Sequence, residues 1–462
     1  MTKPSRVGPQ SLAPHAKLAD GTHCGRQRRD EVNPASRRMS VGCFTPSTNR
    51  HLRAGKVEWS RRNDGRFDLA LSRRQDRLLR TSAMQPQAPS PGRPKVVHVV
   101  VAGEIGGAER FLVNLASRPA LSGADHCVAL MTPNPKLRAL FAEAGLRTRD
   151  RGPVRENPLA YLWRSFGPAD IAWLGRVLLE EDASLVHAHT FGSHILAARA
   201  ALRYHLPVVR TEHGVRHYGD LTCALFRHWT LRHTDRIVAV SAFVSRTVAV
   251  IAPHAREKIR VIPNGIDLTQ FDRAPPPVDG PFTFSMVSRL EPIKQVALAI
   301  EAVARTADVR LNIAGDGSER GKLEKLARKR GIEGRVHFLG YMRDPRPAIA
   351  ASDAIINCSR VEGLPLAVLE AAAMQRPAVA FDGGGTPEIV QDRQTGWLVR
   401  EHSVDALAAA VAEASASRPH AAELGINARK WVEAKFGIEP MCKSYAAVYR
   451  ELAEAAPALI AP

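Results

Sequence analysis

Apolar and polar positions follow two alternating rhythms over most of this chain. PKVVHVVVAG, from Pro94, is a continuous apolar run ending at a glycine, and EIGGAERFLVNLASR behind it repeats at helical period. A buried strand, a glycine-rich turn and a helix open a doubly wound α/β domain. The alternation predicts further strands over 126–132, 184–190, 206–213, 235–241 and 259–265. Helices are expected over 135–145, 173–183, 193–205 and 221–234. Strands alternating with helices imply a parallel sheet covered on both faces.

FDRAPPPVDGP interrupts this grammar with three prolines among charges and glycine, as a linker does. The rhythm then restarts. Strands are expected over 282–290, 309–317, 335–340, 353–359, 376–385 and 396–399, and helices over 293–305 and 318–331. A helix opening near Leu364, two helices up to Ala416 and a last amphipathic helix over 437–456 complete the reading. The predicted organisation is a basic extension over 1–94, a Rossmann-like domain over 95–271, a linker over 272–281, a second Rossmann-like domain over 282–436 and a C-terminal helix over 437–462. Two such domains leave a cleft between them, and ligands of open α/β sheets bind at the carboxyl ends of strands.

Composition refines this picture. No apolar run of eighteen residues exists to predict a transmembrane helix, and the first thirty residues lack a secretory core. Six scattered cysteines without a CxxC pair suit reduced thiols in a cytoplasmic protein. The formal charge of +19 suggests nucleic acid or an anionic membrane, but residues 1–94 hold 19 Lys or Arg against 7 Asp or Glu. That stretch lacks hydrophobic period and reads as disordered. A basic tail, a transit peptide and a gene start placed upstream of the true one at Met84 compete to explain it. The acids Asp30, Glu31, Glu58, Asp64 and Asp68 count against a transit peptide.

Candidate chemistry collects where second-half strands run into loops. SRLEPIK places Arg289 and Lys294 after the first strand, GDGSE carries Gly315 and Gly317 after the second, and FDGGGTPE ends another in three glycines before Glu388. Glycine permits close approach to the backbone, and helix N-termini attract anions, so phosphate is the natural guest. The first half adds GEIGGAER, where Gly106 and Gly107 open a helix; a tight turn explains that pair equally well. No GxGxxG fingerprint or P-loop is present.

SRVEGLPLAVLEAAAM poses a sharper question, because Glu362 and Glu370 stand eight apart, the first just outside the N-terminus of an Ala- and Leu-rich helix and the second about two turns inside it. On a helix that spacing amounts to ~12 Å, about the span from a hexose to a ribose across a diphosphate. Glu362 would take sugar hydroxyls, the N–H groups of Gly363 and Leu364 a phosphate or sugar oxygen, and Glu370 the ribose. A capping acid followed by an Arg-paired acid is the bland alternative. His187, His189 and His194 in VHAHTFGSH could hold zinc, as could His213 and His217 in EHGVRH, but satisfied histidines at strand ends are the simpler reading. GKLEKLARKRG reads as a solvated basic helix face, with an anionic partner as the alternative.

SRLEPIK, AGDG, VHFLG, SRVEGLPLAVLEA and GGGTPEIV, in this order, resemble the retaining glycosyltransferases of family 4, with GGAER, VHAH, EHG and VIPNGID extending the likeness into the first half. The resemblance covers about residues 95–455 and implies the α/β GT-B fold of two Rossmann-like domains facing across a cleft. It implies that Arg289 and Lys294 neutralise the donor diphosphate, that Glu362 contacts the transferred sugar and Glu370 the ribose. His213 would touch the sugar near the reacting centre, Gly106 and Gly107 would close over donor and acceptor, and Glu388 would lie near the sugar. Gln295 replaces a common glycine, and Ser318 a common proline.

The expected activity is metal-independent, retaining transfer from a UDP- or GDP-linked sugar, with no cofactor, to a glycan or lipid-linked acceptor in polysaccharide synthesis. A cytoplasmic enzyme touching the inner membrane face would suit such an acceptor. A sugar-nucleotide epimerase or phosphorylase on the same fold, and a non-catalytic nucleic-acid- or anion-binding protein using the basic N-terminus, are the alternatives; no specific nucleic acid is expected.

Overall fold

The computed structural model describes residues 92–132, 134–152, 163, 164, 166–189, 191–271, 273, 277 and 279–455, with two short strands at Trp59–Arg61 and Phe67–Leu69. Most of the basic extension, much of the proline linker, and Cys24 and Cys43 lie outside the described residues. Cys127, Cys223, Cys358 and Cys442 are buried free thiols.

The first parallel sheet contains β1 (Lys95–Val100), β2 (Asp125–Leu130), β3 (Arg147–Asp150), β4 (Leu185–Ala188), β5 (Val208–Glu212), β6 (Arg236–Ala239) and β7 (Ile259–Val261), in spatial order β3-β2-β1-β4-β5-β6-β7. The second contains β8 (Phe282–Val287), β9 (Val309–Ala314), β10 (Val336–Gly340), β11 (Ala354–Asn357), β12 (Ala378–Phe381) and β13 (Gly396–Val399), in order β10-β9-β8-β11-β12-β13. Both are parallel throughout. Each reverses strand order beside its first strand, between β1 and β4 and between β8 and β11, and there a doubly wound sheet opens a crevice. The loops carrying GEIGGAER, VHAH, SRLEPIK and SRVEGLP leave these four strands.

The strands are apolar runs because both faces are covered; β1 buries Val96 through Val100. One core cluster belongs to the second sheet alone, around Phe284, Ile300, Leu311 and Val379. Another crosses the domains, joining Ile237, Val240 and Val244 to Leu364, Val368 and Leu369. The long helix Ile438–Ala455 leaves the second domain and packs Met441, Cys442, Tyr445, Val448 and Tyr449 against Val96, Phe111, Leu115 and Val209 of the first.

Several elements depart from the sequence expectation. β3 has no apolar alternation; it is an edge strand whose Arg147 and Arg149 pair with the buried Glu181. The helix Ala242–Ile251 is unforeseen, although Ser241 caps it by accepting a hydrogen bond from the Val244 N–H at 3.1 Å. One helix, Val404–Ala416, stands between β13 and Ala416 rather than two, and the long Arg418–Lys435 helix follows it. The glutamate-bearing helix begins at Leu366 with the extended Pro365 as its N-cap, so Leu364 lies outside it and Glu370 little more than one turn inside. Among the described residues, no helix is long and apolar enough to cross a membrane.

Candidate active site

Lys294 sits in the short 3-10 turn Pro292–Lys294 behind β8, and its ammonium forms an ion pair with Glu362. Both side chains are about one-fifth exposed, so the pair lies recessed rather than fully solvated. Arg289 is half exposed and donates to Glu291 at 2.7 Å. Glu370 stands on the Leu366–Ala373 helix, and burial pushes its carboxyl up to about 7; Arg110 and Arg346 oppose the shift and Asp344 adds to it. A group set there exchanges its proton near neutral pH, and an electropositive or hydroxylic partner would favour its ionised form.

The glycines act on neighbouring backbone. A Cβ on Gly363 would overlap the carbonyl of His213, and one on Gly385 the carbonyl of Gly363. Gly384, at φ +67°, presses on the Glu362 carbonyl, while the Gly385 N–H donates to that oxygen at 2.9 Å. The GGG run therefore clamps the Glu362–Gly363 segment. Gly315 and Gly317 lie against the Ser288 and Leu290 carbonyls, locking the loop after β9 to the one bearing Arg289. These glycines are fixed by loop-to-loop approach, a reason sequence reasoning assigned instead to a ligand.

The first domain reaches the same place. Gly107 faces a Leu366 methyl across the cleft, with a Cβ position 3.7 Å away. The Gly106 N–H donates to Glu109 at 2.8 Å, and burial raises the Glu109 carboxyl, with Arg289 opposing. Arg110 donates to the Arg343 carbonyl of the second domain at 3.0 Å, and Asn264 to the Leu364 carbonyl at 3.3 Å. Glu109 and Arg110 were not singled out in sequence; only their place behind the glycine pair could have drawn attention to them.

His213 follows β5 on a rigid base. The buried Glu212 beside it takes an ion pair from Arg210 and a hydrogen bond from Tyr218 at 2.7 Å. Phe111 packs edge-on against the His213 ring at 4.9 Å between centroids, and burial pushes this imidazole down to about 4. His213 is thus neutral at physiological pH. Glu388, expected near the sugar, accepts from the Ala242 and Phe243 N–H groups at 3.1 and 3.0 Å. It caps the first-domain helix from the second domain.

His98, His187 and His189 bring ring nitrogens within 4.8 Å of one another, a grouping a metal could use. Their nitrogens are already committed. His98 Nδ1 and His189 Nε2 are 2.9 Å apart, whereas His187 is bonded to the Tyr449 hydroxyl and to Thr211, each at 2.8 Å. Two imidazole nitrogens on a tetrahedral zinc stand about 3.3 Å apart, so the histidines bond one another rather than frame an ion. His194 lies outside this group.

Two facing Rossmann-like domains, with a recessed cation–carboxylate pair beside the point where Gly363 meets the His213 carbonyl, make up the GT-B fold of glycosyltransferases. The chain belongs to the group 1 glycosyl transferases of family 4: residues 105–270 match the model described as Glycosyltransferase Family 4 and residues 269–431 that described as Glycosyl transferases group 1. It is 30% identical over 363 residues to the GDP-mannose-dependent alpha-(1-6)-phosphatidylinositol monomannoside mannosyltransferase of Mycobacterium tuberculosis, covering 72% of this chain and 91% of the relative. It is 27% identical over 351 residues to the lipopolysaccharide core biosynthesis glycosyltransferase LpsE of Rhizobium meliloti, covering 74% and 95%. Among solved structures, Anabaena HepE in complex with UDP and glucose superposes with a TM-score of 0.68 at 22% identity, over 78% of this chain and all of that one.

Proposed function

We propose that this glycosyltransferase moves a sugar, with retention at the anomeric carbon, from a UDP- or GDP-linked donor to a hydroxyl of a glycan or lipid-linked saccharide in cell-surface polysaccharide synthesis. The observation that carries the reading is the recessed Lys294–Glu362 pair, next to the point where Gly363 meets the His213 carbonyl of the first domain. A sugar diphosphate entering there would exchange the pair for its own contacts: the Lys294 ammonium to phosphate, the Glu362 carboxylate to sugar hydroxyls. Arg289, half exposed at the same mouth, joins Lys294 in neutralising the leaving diphosphate, so fixed cations serve without a metal ion or cofactor. Glu370 takes the ribose hydroxyls one helical turn deeper, with Gly363 and Leu364 supplying N–H groups. Gly315 and Gly317 shape the phosphate wall, while Gly106 and Gly107 meet the acceptor side.

In the reaction the bond from anomeric carbon to diphosphate oxygen breaks as the acceptor oxygen bonds on the same face. The acceptor proton passes to the departing phosphate. Glu362 holds sugar hydroxyls and is poorly aimed at the anomeric carbon, so it stabilises charge rather than attacking. An acceptor rooted in lipid would bring the enzyme to the cytoplasmic membrane face.

Thermal stabilisation by UDP, GDP, ADP and CMP, without metal and then with magnesium, tests this on the wild type and Glu370→Ala. One nucleotide should stabilise the wild type without metal, and the mutant less. No stabilisation of the folded protein by any of them would refute the reading. Release of an altered sugar nucleotide without an acceptor would indicate an epimerase instead.

A further inference from the structure

Behind His213 the structure holds a series of hydrogen bonds running away from the cleft into the first sheet. His213 Nε2 lies 3.4 Å from His189 Nδ1, and His189 Nε2 lies 2.9 Å from His98 Nδ1. His98 Nε2 is 2.8 Å from His126 Nδ1, and His126 Nε2 is 2.7 Å from the Ser122 hydroxyl. That hydroxyl also lies 3.1 Å from the Arg118 carbonyl, to which it can only donate. His98, His126, His189 and Ser122 are all buried.

A neutral imidazole carries one N–H donor and one bare acceptor nitrogen. Rings bonded in series must therefore all point their protons the same way, and only two settings exist. With every proton directed toward Ser122, His126 donates to the hydroxyl, and the hydroxyl donates to the Arg118 carbonyl. Every contact is then a hydrogen bond. Reversing the series makes the serine proton serve His126, leaving the serine oxygen against the Arg118 carbonyl with no hydrogen between them. The Arg118 carbonyl also accepts from the Leu121 and Ser122 N–H groups at 3.0 and 2.9 Å, so it is paired in either setting. The first setting adds one hydrogen bond, from the serine hydroxyl, and it puts the His213 proton on Nε2.

We infer that Ser122, His126, His98 and His189 are positioning residues that lock the tautomer of His213, holding its proton on Nε2 and leaving Nδ1 as an acceptor for a hydroxyl in the cleft. Burial supports a neutral series: His126 is pushed down to about 3, and His98 and His189 well below the ordinary range. The rings beside the series do not interrupt it, since His187 spends its nitrogens on Tyr449 and Thr211. That the hydroxyl belongs to the transferred sugar rests on the proposed donor site. The tautomer itself does not.

The test is nitrogen NMR of the full chain labelled with 15N-histidine at pH 7, with His213 assigned by its loss in His213→Gln. Wild type should show His213 protonated at Nε2 by a preference of about two- to tenfold, the net weight of one hydrogen bond. Ser122→Ala should bring the two tautomers toward parity, and Ser122→Thr, which keeps the hydroxyl, should restore the preference. A wild-type His213 protonated at Nδ1 would overturn the inference whatever the variants do. So would an unchanged preference in folded Ser122→Ala. Nucleotide stabilisation measured on the same samples separates the two ideas: its absence refutes the donor site while leaving the tautomer result standing.

Discussion

Gly363 of the second domain lies so close to the His213 carbonyl of the first that no side chain fits between them. The contact fixes how nearly the two halves of the cleft approach. Gly363→Ala should push the domains apart at an overpacking cost of about 1–3 kcal/mol. Small-angle scattering should report a more extended particle, and stabilisation by the preferred nucleotide should fall. An unchanged scattering profile with full nucleotide response would show that the approach is dispensable.

The two glutamates should fail in different ways. Glu362→Gln leaves Lys294 without its charged partner and, on the proposed donor site, would weaken the hold on sugar hydroxyls, so kcat should drop by about two orders of magnitude. Glu370→Gln should chiefly raise the donor KM. Turnover near wild type in both variants would move the site elsewhere.

Burial raises the Glu370 carboxyl to about 7, well above its ordinary value of 4.5. Between those values the folded chain binds more protons than the unfolded chain, so this group's contribution to stability is full below pH 4.5 and declines as pH rises toward 7. Hydroxyls donating to the ionised form favour binding at higher pH. Stabilisation by nucleotide should therefore grow between pH 6 and 8, and Glu370→Gln should flatten that dependence. A wild-type response independent of pH over this interval would contradict the assignment.

Gln295 occupies a left-handed conformation, φ +49°, and its buried Oε1 has no hydrogen-bond partner among the described residues. Glycine adopts that backbone without the Cβ penalty, which costs roughly 1–2 kcal/mol for other residues. Gln295→Gly should raise stability by about 1 kcal/mol after the entropy of the freer unfolded chain is counted. Denaturant titration measures it; a loss of stability would mean that the side chain supports Lys294.

Glu388 accepts two backbone N–H bonds at the start of the Ala242–Ile251 helix. Glu388→Ala should cost about 1.5–3 kcal/mol in unfolding free energy, the weight of hydrogen bonds to a charged group. A variant of unchanged stability but reduced turnover would return the residue to the sugar.

The two-sheet plan is legible in the sequence because buried parallel strands are written as unbroken apolar runs, with PPP between two sets of them. β3 escapes that grammar: at the sheet's edge, RTRD has arginines paired to Glu181 where an inner strand would have valines. Arg289, Lys294, Glu362 and Glu370 are legible as charges at strand ends and in an apolar helix. What each touches is not. Lys294 and Glu362 are 68 residues apart, Glu388 and Ala242 146, and nothing local marks either pairing. The histidine series is hidden for the same reason. His98, His126, His189 and His213 stand singly at different strands, and only the sheet order aligns them.

The Ile438–Ala455 helix carries a consequence for biosynthesis. Tyr449 bonds His187, and Tyr445 lies 2.9 Å from the Thr211 hydroxyl, so polar groups in the middle of the first sheet depend on phenols translated more than 230 residues later. The N-terminal domain leaves the ribosome early but cannot seal its interior until that helix emerges. During that interval its uncovered face is exposed to chaperones, and chains broken off before residue 438 are left with an open core for proteases to find.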